Sequence, residues 1–100
     1  MNDLIDEERA EYIIIQKDVN NFIRLINSKY PIYINIVLDD LIRRHIYKEV
    51  VYHVIILFDI NGYQTKQIFV SEKIDDHLDF NYLYEEICLF IDTKIDEIGI

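Results

Sequence analysis

The sequence predicts a small α+β fold in which helices pack on an antiparallel β-hairpin. Three observations lead to this prediction. Apolar residues recur at helical spacing near both ends of the chain, two runs of strand-forming residues meet at Asn61-Gly62, and the 100 residues include only two glycines and one proline. So few chain-breaking residues leave little room for linkers. We therefore expect one domain, residues 1–100, with the element order α-α-β-β-α.

The first predicted helix covers residues 4–28. The apolar residues that recur every seven positions, as on one buried helical face, are Ile5, Tyr12, Val19 and Ile26. Asn2 or Asp3 can cap the start of this helix. Residues 13–14 are isoleucines that lie off the apolar stripe, so they either widen the buried face or are exposed for a partner. The two asparagines at 20–21 could break the helix in two.

Residues 32–46 are compatible with two structures. Ile32, Ile34 and Ile36 alternate as in a strand. Six residues follow helical spacing instead: Ile34, Val37, Leu38, Leu41, Ile42 and His45. Pro31, at the first helical position, also suits a helix. We therefore predict a helix over about 32–46, and a short strand at 32–37 before a helix is the alternative.

Val50–Val70 is predicted to form the β-hairpin. Asn-Gly favours a two-residue turn because both central positions of a type I′ turn have positive φ. Such a turn at Asn61-Gly62 places Ile60 opposite Tyr63 and Val54 opposite Phe69. The first strand is apolar on both faces, so we expect both faces to be covered. The second strand is half polar near its turn, as in an edge strand.

Residues 71–79 are expected to form a polar, acidic connector to the last helix. Asp79 or Asn81 can cap this helix, and Gly99 is a suitable end for it. One side carries a stripe for burial: Tyr84, Ile87, Cys88, Ile91, Ile95 and Ile98. The other side is acidic: Glu85, Glu86, Asp92, Asp96 and Glu97.

The net charge of −9 is concentrated towards the C-terminal end. Residues 71–100 contain nine acidic and two basic residues, which gives this segment a net charge of −7. A chain this acidic is not expected to bind nucleic acid directly, because contact with phosphates needs a basic surface. The same field attracts a basic protein. Solubility alone is the simpler explanation of the charge.

Four polar residues near position 77 could hold a divalent cation: Asp75, Asp76, His77 and Asp79. Their spacing matches no calcium loop, and a solvated loop followed by a helix cap explains them equally well. We therefore predict no metal site.

Cys88, His45 and His53 are the remaining candidates for catalysis. All three lie within apolar patterns, where we expect them to pack in the core or at its rim. Arg43-Arg44, with Lys48, could form a small basic patch. The simpler explanation is that the arginines balance two aspartates, 39 and 40, on a shared helix.

Sequence motifs for catalysis are missing from this chain. It has no glycine-rich phosphate loop, no HExxH and no GxSxG, and glycines at 62 and 99 cannot form a phosphate cradle. We therefore expect no enzyme activity and no cofactor. A single cysteine fits a reducing compartment, the N-terminus is acidic where a signal peptide would be basic, and no apolar run is long enough to cross a membrane. These features predict a cytoplasmic protein with no membrane partner.

In size, acidity and a composition rich in isoleucine, tyrosine and asparagine, the chain resembles small inhibitors encoded by phages and other mobile elements, such as anti-CRISPR proteins and DNA mimics. The resemblance covers bulk properties and implies no site residue. We expect a binding protein that occupies the basic nucleic-acid-binding surface of a host protein. The residues expected to contact this partner are Glu72, Asp75, Asp76, Asp79, Tyr82, Glu85, Glu86, Asp92 and Asp96.

The alternative is a structural or regulatory homo-oligomer, such as a homodimer, with no charge-based partner. Ile13, Ile14 and the open edge of the hairpin would then pair between chains.

Overall fold

The computed structural model describes residues 3–31, 33–75 and 77–99, and the side chains of these residues from Glu8 onward. Two helices flank the strands: α1 covers Asp3–Lys29 and α2 covers Phe80–Ile98. The strands between them are β1 (Ile34–Ile46), β2 (Glu49–Ile60), β3 (Tyr63–Ile74) and the short β4 (His77–Leu78). The fold is therefore a small α+β fold, as predicted, but its order is α-β-β-β-β-α.

The strands form one antiparallel sheet in the order β1-β2-β3-β4. β1 and β2 pair from Ile34 opposite Ile60 to Ile46 opposite Glu49. β2 and β3 pair on either side of a turn at Asn61 and Gly62, where φ is 50° and 95°. β4 adds two residue pairs at the end of β3. β2 is therefore the central strand, and the two-stranded hairpin of the prediction is part of a larger sheet.

The predicted helix over 32–46 is wrong, and so is the alternative of a short strand before a helix, because Ile34–Ile46 forms β1, while Ile32 lies outside the described residues. A β-bulge between Leu38 and Asp40 explains the error. Residues facing the helices alternate up to Leu38 and again from Leu41 onward. The bulge inserts one extra residue between these two series, so the spacing changes from two to three at that point. Two alternating segments therefore imitate helical spacing.

The sequence of the turn between β1 and β2 does not indicate that β1 is a strand. It consists of Tyr47 and Lys48 and contains neither glycine nor asparagine, although φ of Tyr47 is 57°. Positive φ is uncommon for a bulky residue, so the sequence does not indicate a hairpin here.

Both terminal helices are confirmed. α1 runs without interruption through residues 20–21, and Ile13 and Ile14 are exposed. Capping of α1 by Asn2 or Asp3 lies outside the described side chains. The Asp79 side chain caps α2 by accepting the backbone N–H of Tyr82, and Gly99 ends α2 in the left-handed conformation.

Both helices pack on the same face of the sheet. α1 contributes Ile15, Val19, Ile23 and Ile26 to the core, and α2 contributes Leu83, Ile87, Cys88 and Ile91. Burial of each large apolar side chain contributes about 1.5–3 kcal/mol. Phe90 of α2 packs 4.7 Å from Phe58 of the central strand, measured between ring centroids. The two helices lie side by side, with Phe22 of α1 against Phe80 of α2.

Two further expectations need correction. The connector at 71–79 is partly strand, because Ser71–Ile74 ends β3 and His77–Leu78 forms β4. Ser71 is buried, and its hydroxyl accepts the backbone N–H of Asp79. The expected cover on both faces of β2 is also wrong for this chain, because the helices cover one face and leave Leu57 exposed on the other.

Candidate functional site: the acidic face of helix α2

Helix α2 carries four acidic side chains on the side that points away from the core: Glu85, Glu86, Asp92 and Asp96. Glu86 is half-buried and the other three are exposed. The rise of 1.5 Å per residue spreads them over about 16 Å of helix. We call these four residues, together with Tyr82 and Leu89, the α2 acidic face.

The acidic side chains of this face are not neutralised by basic side chains of the described residues. Within the described residues, none of the four forms an ion pair. Lys94, the one basic residue of α2, pairs with Glu97 at 2.9 Å. Asp92 accepts a hydrogen bond of 3.1 Å from the Tyr30 hydroxyl, which is neutral and does not cancel the charge. The carboxylates therefore project uncompensated negative charge into the solvent.

The last turn of α2 is acidic where a stable helix favours bases. Asp96 and Glu97 lie there, and the turn contains no basic residue. Since the C-terminal end of a helix carries partial negative charge, carboxylates at this end destabilise it. Helix stability therefore does not explain the placement of Asp96.

Two apolar groups sit among these charges. Tyr82 is exposed, and Leu89 exposes 61% of its surface. Leu89 lies four residues after Glu85 and three before Asp92, so its neighbours on the helix surface are acids. The sequence did not single out Leu89, although a leucine on the polar side of an amphipathic helix was the available signal.

The other predicted contact residues divide into two groups. Glu72 and Asp79 line one groove at the β3 edge together with Tyr82 of the α2 acidic face, and the groove has a volume of about 440 Å³, so these two acids lie beside the start of that face. Asp75 lies in the turn after β3 and lines a separate depression with Lys48 and other residues. Asp76 lies outside the described residues.

The acids of α1 have a different environment. The Glu11 carboxylate accepts a hydrogen bond of 3.0 Å from Arg43 Nε and further bonds from Lys73 and the Tyr52 hydroxyl. Glu8 pairs with the same guanidinium at 3.3 Å. We call these five residues the Glu11 cluster. It joins α1 to β1, β2 and β3.

The Glu11 cluster shifts the pKa values of its members. Burial raises the pKa of Glu11, but the hydrogen bonds from Lys73, Tyr52 and Arg43 outweigh it and hold the pKa below the ordinary 4.5. Burial and the neighbouring Glu11 carboxylate raise the pKa of the fully buried Tyr52 well above its ordinary value. Glu11 is therefore ionised and Tyr52 is protonated at neutral pH.

The structure separates the two arginines expected to form a basic patch. Arg43 belongs to the Glu11 cluster, on the helix side of β1. Arg44 is exposed on the opposite side of the same strand. The predicted balance between these arginines and the aspartates at 39 and 40 assumed a helix and is wrong: Asp39 pairs instead with Lys66 of β3, at 3.4 Å.

Cys88 is buried, as expected for a core residue, and the Nζ atom of Lys29 lies 3.6 Å from its sulfur. The expectation that His45 packs in the core or at its rim is wrong, because His45 is exposed and its Nε2 lies 2.7 Å from Arg43 Nη1. His53 is half-buried on the strand face without helices. Within 3–31, 33–75 and 77–99, no three side chains of the metal-ligating types lie together, and neither helix is long and apolar enough to span a membrane.

The α2 acidic face is thus a charged surface with two apolar contacts and is suited to binding a basic protein. Comparison of the chain with protein-family models, with curated proteins and with solved structures gave no match.

Proposed function

We propose that this chain is a small binding protein that inhibits a nucleic-acid-binding protein by occupying its basic surface. The α2 acidic face takes the place of the phosphates. Its carboxylates bind lysine and arginine side chains, and Tyr82 and Leu89 add apolar contact area.

One observation carries this proposal. Among the three acids of α1 whose side chains are described, Glu8 and Glu11 pair with Arg43 or Lys73 and Asp18 lies 4.0 Å from His77, whereas the four carboxylates of the α2 acidic face pair with no described residue. Solubility alone requires only that charges be present, and it does not require them to gather on one helix. The acidic last turn supports the same conclusion, because it opposes the helix dipole.

The test uses the chain as bait in a nuclease-treated bacterial lysate, with elution by a salt gradient and identification by mass spectrometry. We expect a nucleic-acid-binding protein that elutes at moderate salt, because charge–charge contacts weaken as salt rises. Recovery of proteins without any basic nucleic-acid-binding surface would contradict the proposal.

A pair of variants separates the site from net charge. The first variant, Glu85→Gln, Glu86→Gln and Asp96→Asn, neutralises the α2 acidic face. The second, Asp40→Asn, Glu49→Gln and Asp59→Asn, removes the same three charges from the sheet. Both variants change −9 to −6 by three neutralised acids. We expect the first variant to bind the captured protein at least about tenfold more weakly and the second to bind nearly as well as wild type. Equal weakening would show that the effect comes from net charge and not from a site.

A homo-oligomeric structural or regulatory subunit is the second candidate function. The observation that favours it is the sheet face without helices, where apolar side chains such as Leu57 and Ile68 are exposed. Apolar burial would then determine the assembly, and salt would affect it little.

A further inference from the structure

The sheet has an open face that neither helix covers. Its apolar centre comprises side chains from all three long strands: Val37, Ile42, His53, Ile55, Leu57, Ile68 and Val70. Asp39 and Arg44 on β1 and Lys66 and Glu72 on β3 flank this centre, and the exposed Asp40 lies opposite Ile55 within it. We call this surface the open sheet face.

We propose that a second copy of this chain packs on the open sheet face, so that two sheets stack and the helices lie outside. This inference does not depend on the α2 acidic face or on its partner.

The central strand β2 is mostly apolar on both of its faces. β2 reads as a strand that is buried on both faces, and in this chain only one of its faces is covered. Leu57 and its neighbours Val37, Ile68 and Val70 are each exposed by more than a third. A contiguous apolar patch of roughly a few hundred Å² marks an interaction surface.

The charges of the open sheet face are complementary to those of the same face on a second copy. Arg44 and Glu72 both lie level with Val51, on opposite sides of β2. Ile42 and Val70 likewise lie level with His53.

A two-fold axis along β2 therefore places β1 of one copy over β3 of the other. Arg44 then lies over Glu72, Asp39 lies near Lys66, and Ile42 packs on Val70. Each of these contacts occurs twice, because the interface between two identical copies is formed by the same patch on both. Opposite charges face each other at both ends of the centre, and Asp40 of each copy lies level with Ile68 of the other.

The edges of the sheet are less available for contact with a second copy than the open sheet face is. The Asn27 side chain bonds both the N–H and the C=O of Ile36 on β1, at 3.0 and 3.3 Å, which occupies part of that edge. The bulge at Leu38 to Asp40 interrupts the rest. On the other side, β4 covers the end of β3. Pairing through the hairpin edge, as the sequence suggested, is therefore less favourable than stacking of the open faces.

The size of the open sheet face sets the expected affinity. Three strands of about ten residues form a surface of about 33 by 14 Å. Two such faces together bury roughly 900 Å² of flat area, which is below the lower end of standard specific interfaces, about 1,200 Å². We therefore expect a dissociation constant in the micromolar range, on the order of 1–50 μM.

Sedimentation equilibrium at about 100 μM protein in about 0.15 M salt tests the proposal. Wild type is expected to show a weight-average mass of about 1.6 to 1.9 times the chain mass, as a dissociation constant of about 1–50 μM requires. Ile68→Glu should dimerise at least about tenfold more weakly, because it places a charge in the apolar centre. Ile13→Glu is the matched control, since Ile13 and Ile68 are 57% and 58% exposed and Ile13 lies on α1. A monomeric wild type, or equal effects of the two variants, would overturn the proposal.

A mixing experiment tests the placement of β1 over β3. Asp39→Lys and Lys66→Glu should each dimerise poorly alone, because each puts like charges opposite one another in the dimer and within its own chain. An equimolar mixture should form a heterodimer, because the introduced lysine then faces the introduced glutamate across the interface. The contacts within each chain are unchanged by mixing, so recovery reports the intermolecular contact alone. A mixture that stays monomeric would overturn this arrangement.

Discussion

Glu11 of α1 and the carboxylates of the α2 acidic face lie in opposite environments in the same small protein. Glu11 is largely buried between α1 and the sheet and accepts bonds from Arg43, Lys73 and Tyr52. Glu85 and Asp96 of α2 project into solvent and form no ion pair within the described residues. The first kind of carboxylate holds the fold together. The second kind contributes little or nothing to stability, which leaves it available for a partner.

This difference shows that net charge alone does not locate a site. The chain carries nine excess negative charges, but those that the fold neutralises cannot attract a partner. Only the structure distinguishes the paired carboxylates from the free ones, because Arg43 and Lys73, which pair with Glu8 and Glu11 of α1, come from strands far away in sequence.

The largest expected effect is on Glu11. Glu11→Gln should lower the free energy of unfolding by about 2–3 kcal/mol, because Arg43 and Lys73 lose their shared carboxylate inside the fold. Glu97→Gln, which breaks the exposed pair with Lys94, is the control and should cost about 0–0.5 kcal/mol. Urea unfolding followed by circular dichroism measures both. Equal losses would remove the distinction between structural and free carboxylates.

The contribution of Glu11 should also depend on pH. Its pKa is lowered in the folded protein, so its stabilisation is complete above the ordinary value of 4.5 and is lost as the pH falls through the folded pKa. The stability gap between wild type and Glu11→Gln should therefore be constant above about pH 5 and should narrow towards about pH 3. Urea unfolding of both proteins across this range provides the measurement. A gap that widens on acidification would show that Glu11 is not stabilised in its ionised form.

Tyr52→Phe should have a smaller effect than Glu11→Gln. It removes one hydrogen bond to Glu11 and leaves the bonds from Arg43 and Lys73, so we expect a loss of about 1–1.5 kcal/mol. Tyr47→Phe, at a fully exposed turn residue, should change stability by less than about 0.3 kcal/mol. Thermal unfolding of the two variants side by side makes the comparison. If the stability of Tyr52→Phe equals that of wild type, the Tyr52 hydroxyl does not contribute to the stability of the Glu11 cluster.

The smallest effect has the opposite sign. Asp96→Asn should raise the free energy of unfolding by about 0.3–0.5 kcal/mol, because it removes a carboxylate from the negative end of the α2 dipole. Glu85→Gln, nearer the other end of the helix, should change it by less and should not stabilise the protein. Both effects should shrink as salt is added. A destabilised Asp96→Asn would indicate an unseen structural role for this residue.

Sequence reasoning succeeded where local signals decide the structure. The position of α2, its cap at Asp79 and its end at Gly99 are encoded within the helix and its flanks, but the predicted stripe is only partly right, because Leu83 is buried and Tyr84 and Ile98 are exposed. It failed at β1, where one bulge changes the phase of the alternation and the turn at Tyr47 lacks the usual residues.

The candidate surfaces likewise differ in whether local sequence signals or long-range contacts determine them. The acids of α2 lie on one helix and were found by their spacing. The open sheet face could not be predicted, because it needs β1 beside β2, and β1 was taken for a helix. The pairing of Glu11 with Arg43 and Lys73 likewise depends on long-range contacts that no local pattern records.

Competition with nucleic acid tests the central claim most directly. The protein captured from the lysate would be bound to a fluorescent nucleic acid, and the anisotropy would be followed as this chain is added. If the α2 acidic face occupies the nucleic-acid-binding surface, wild type displaces the nucleic acid, whereas the variant with Glu85→Gln, Glu86→Gln and Asp96→Asn does so at least about tenfold less well. Simultaneous binding of the chain and the nucleic acid to the captured protein would contradict the account.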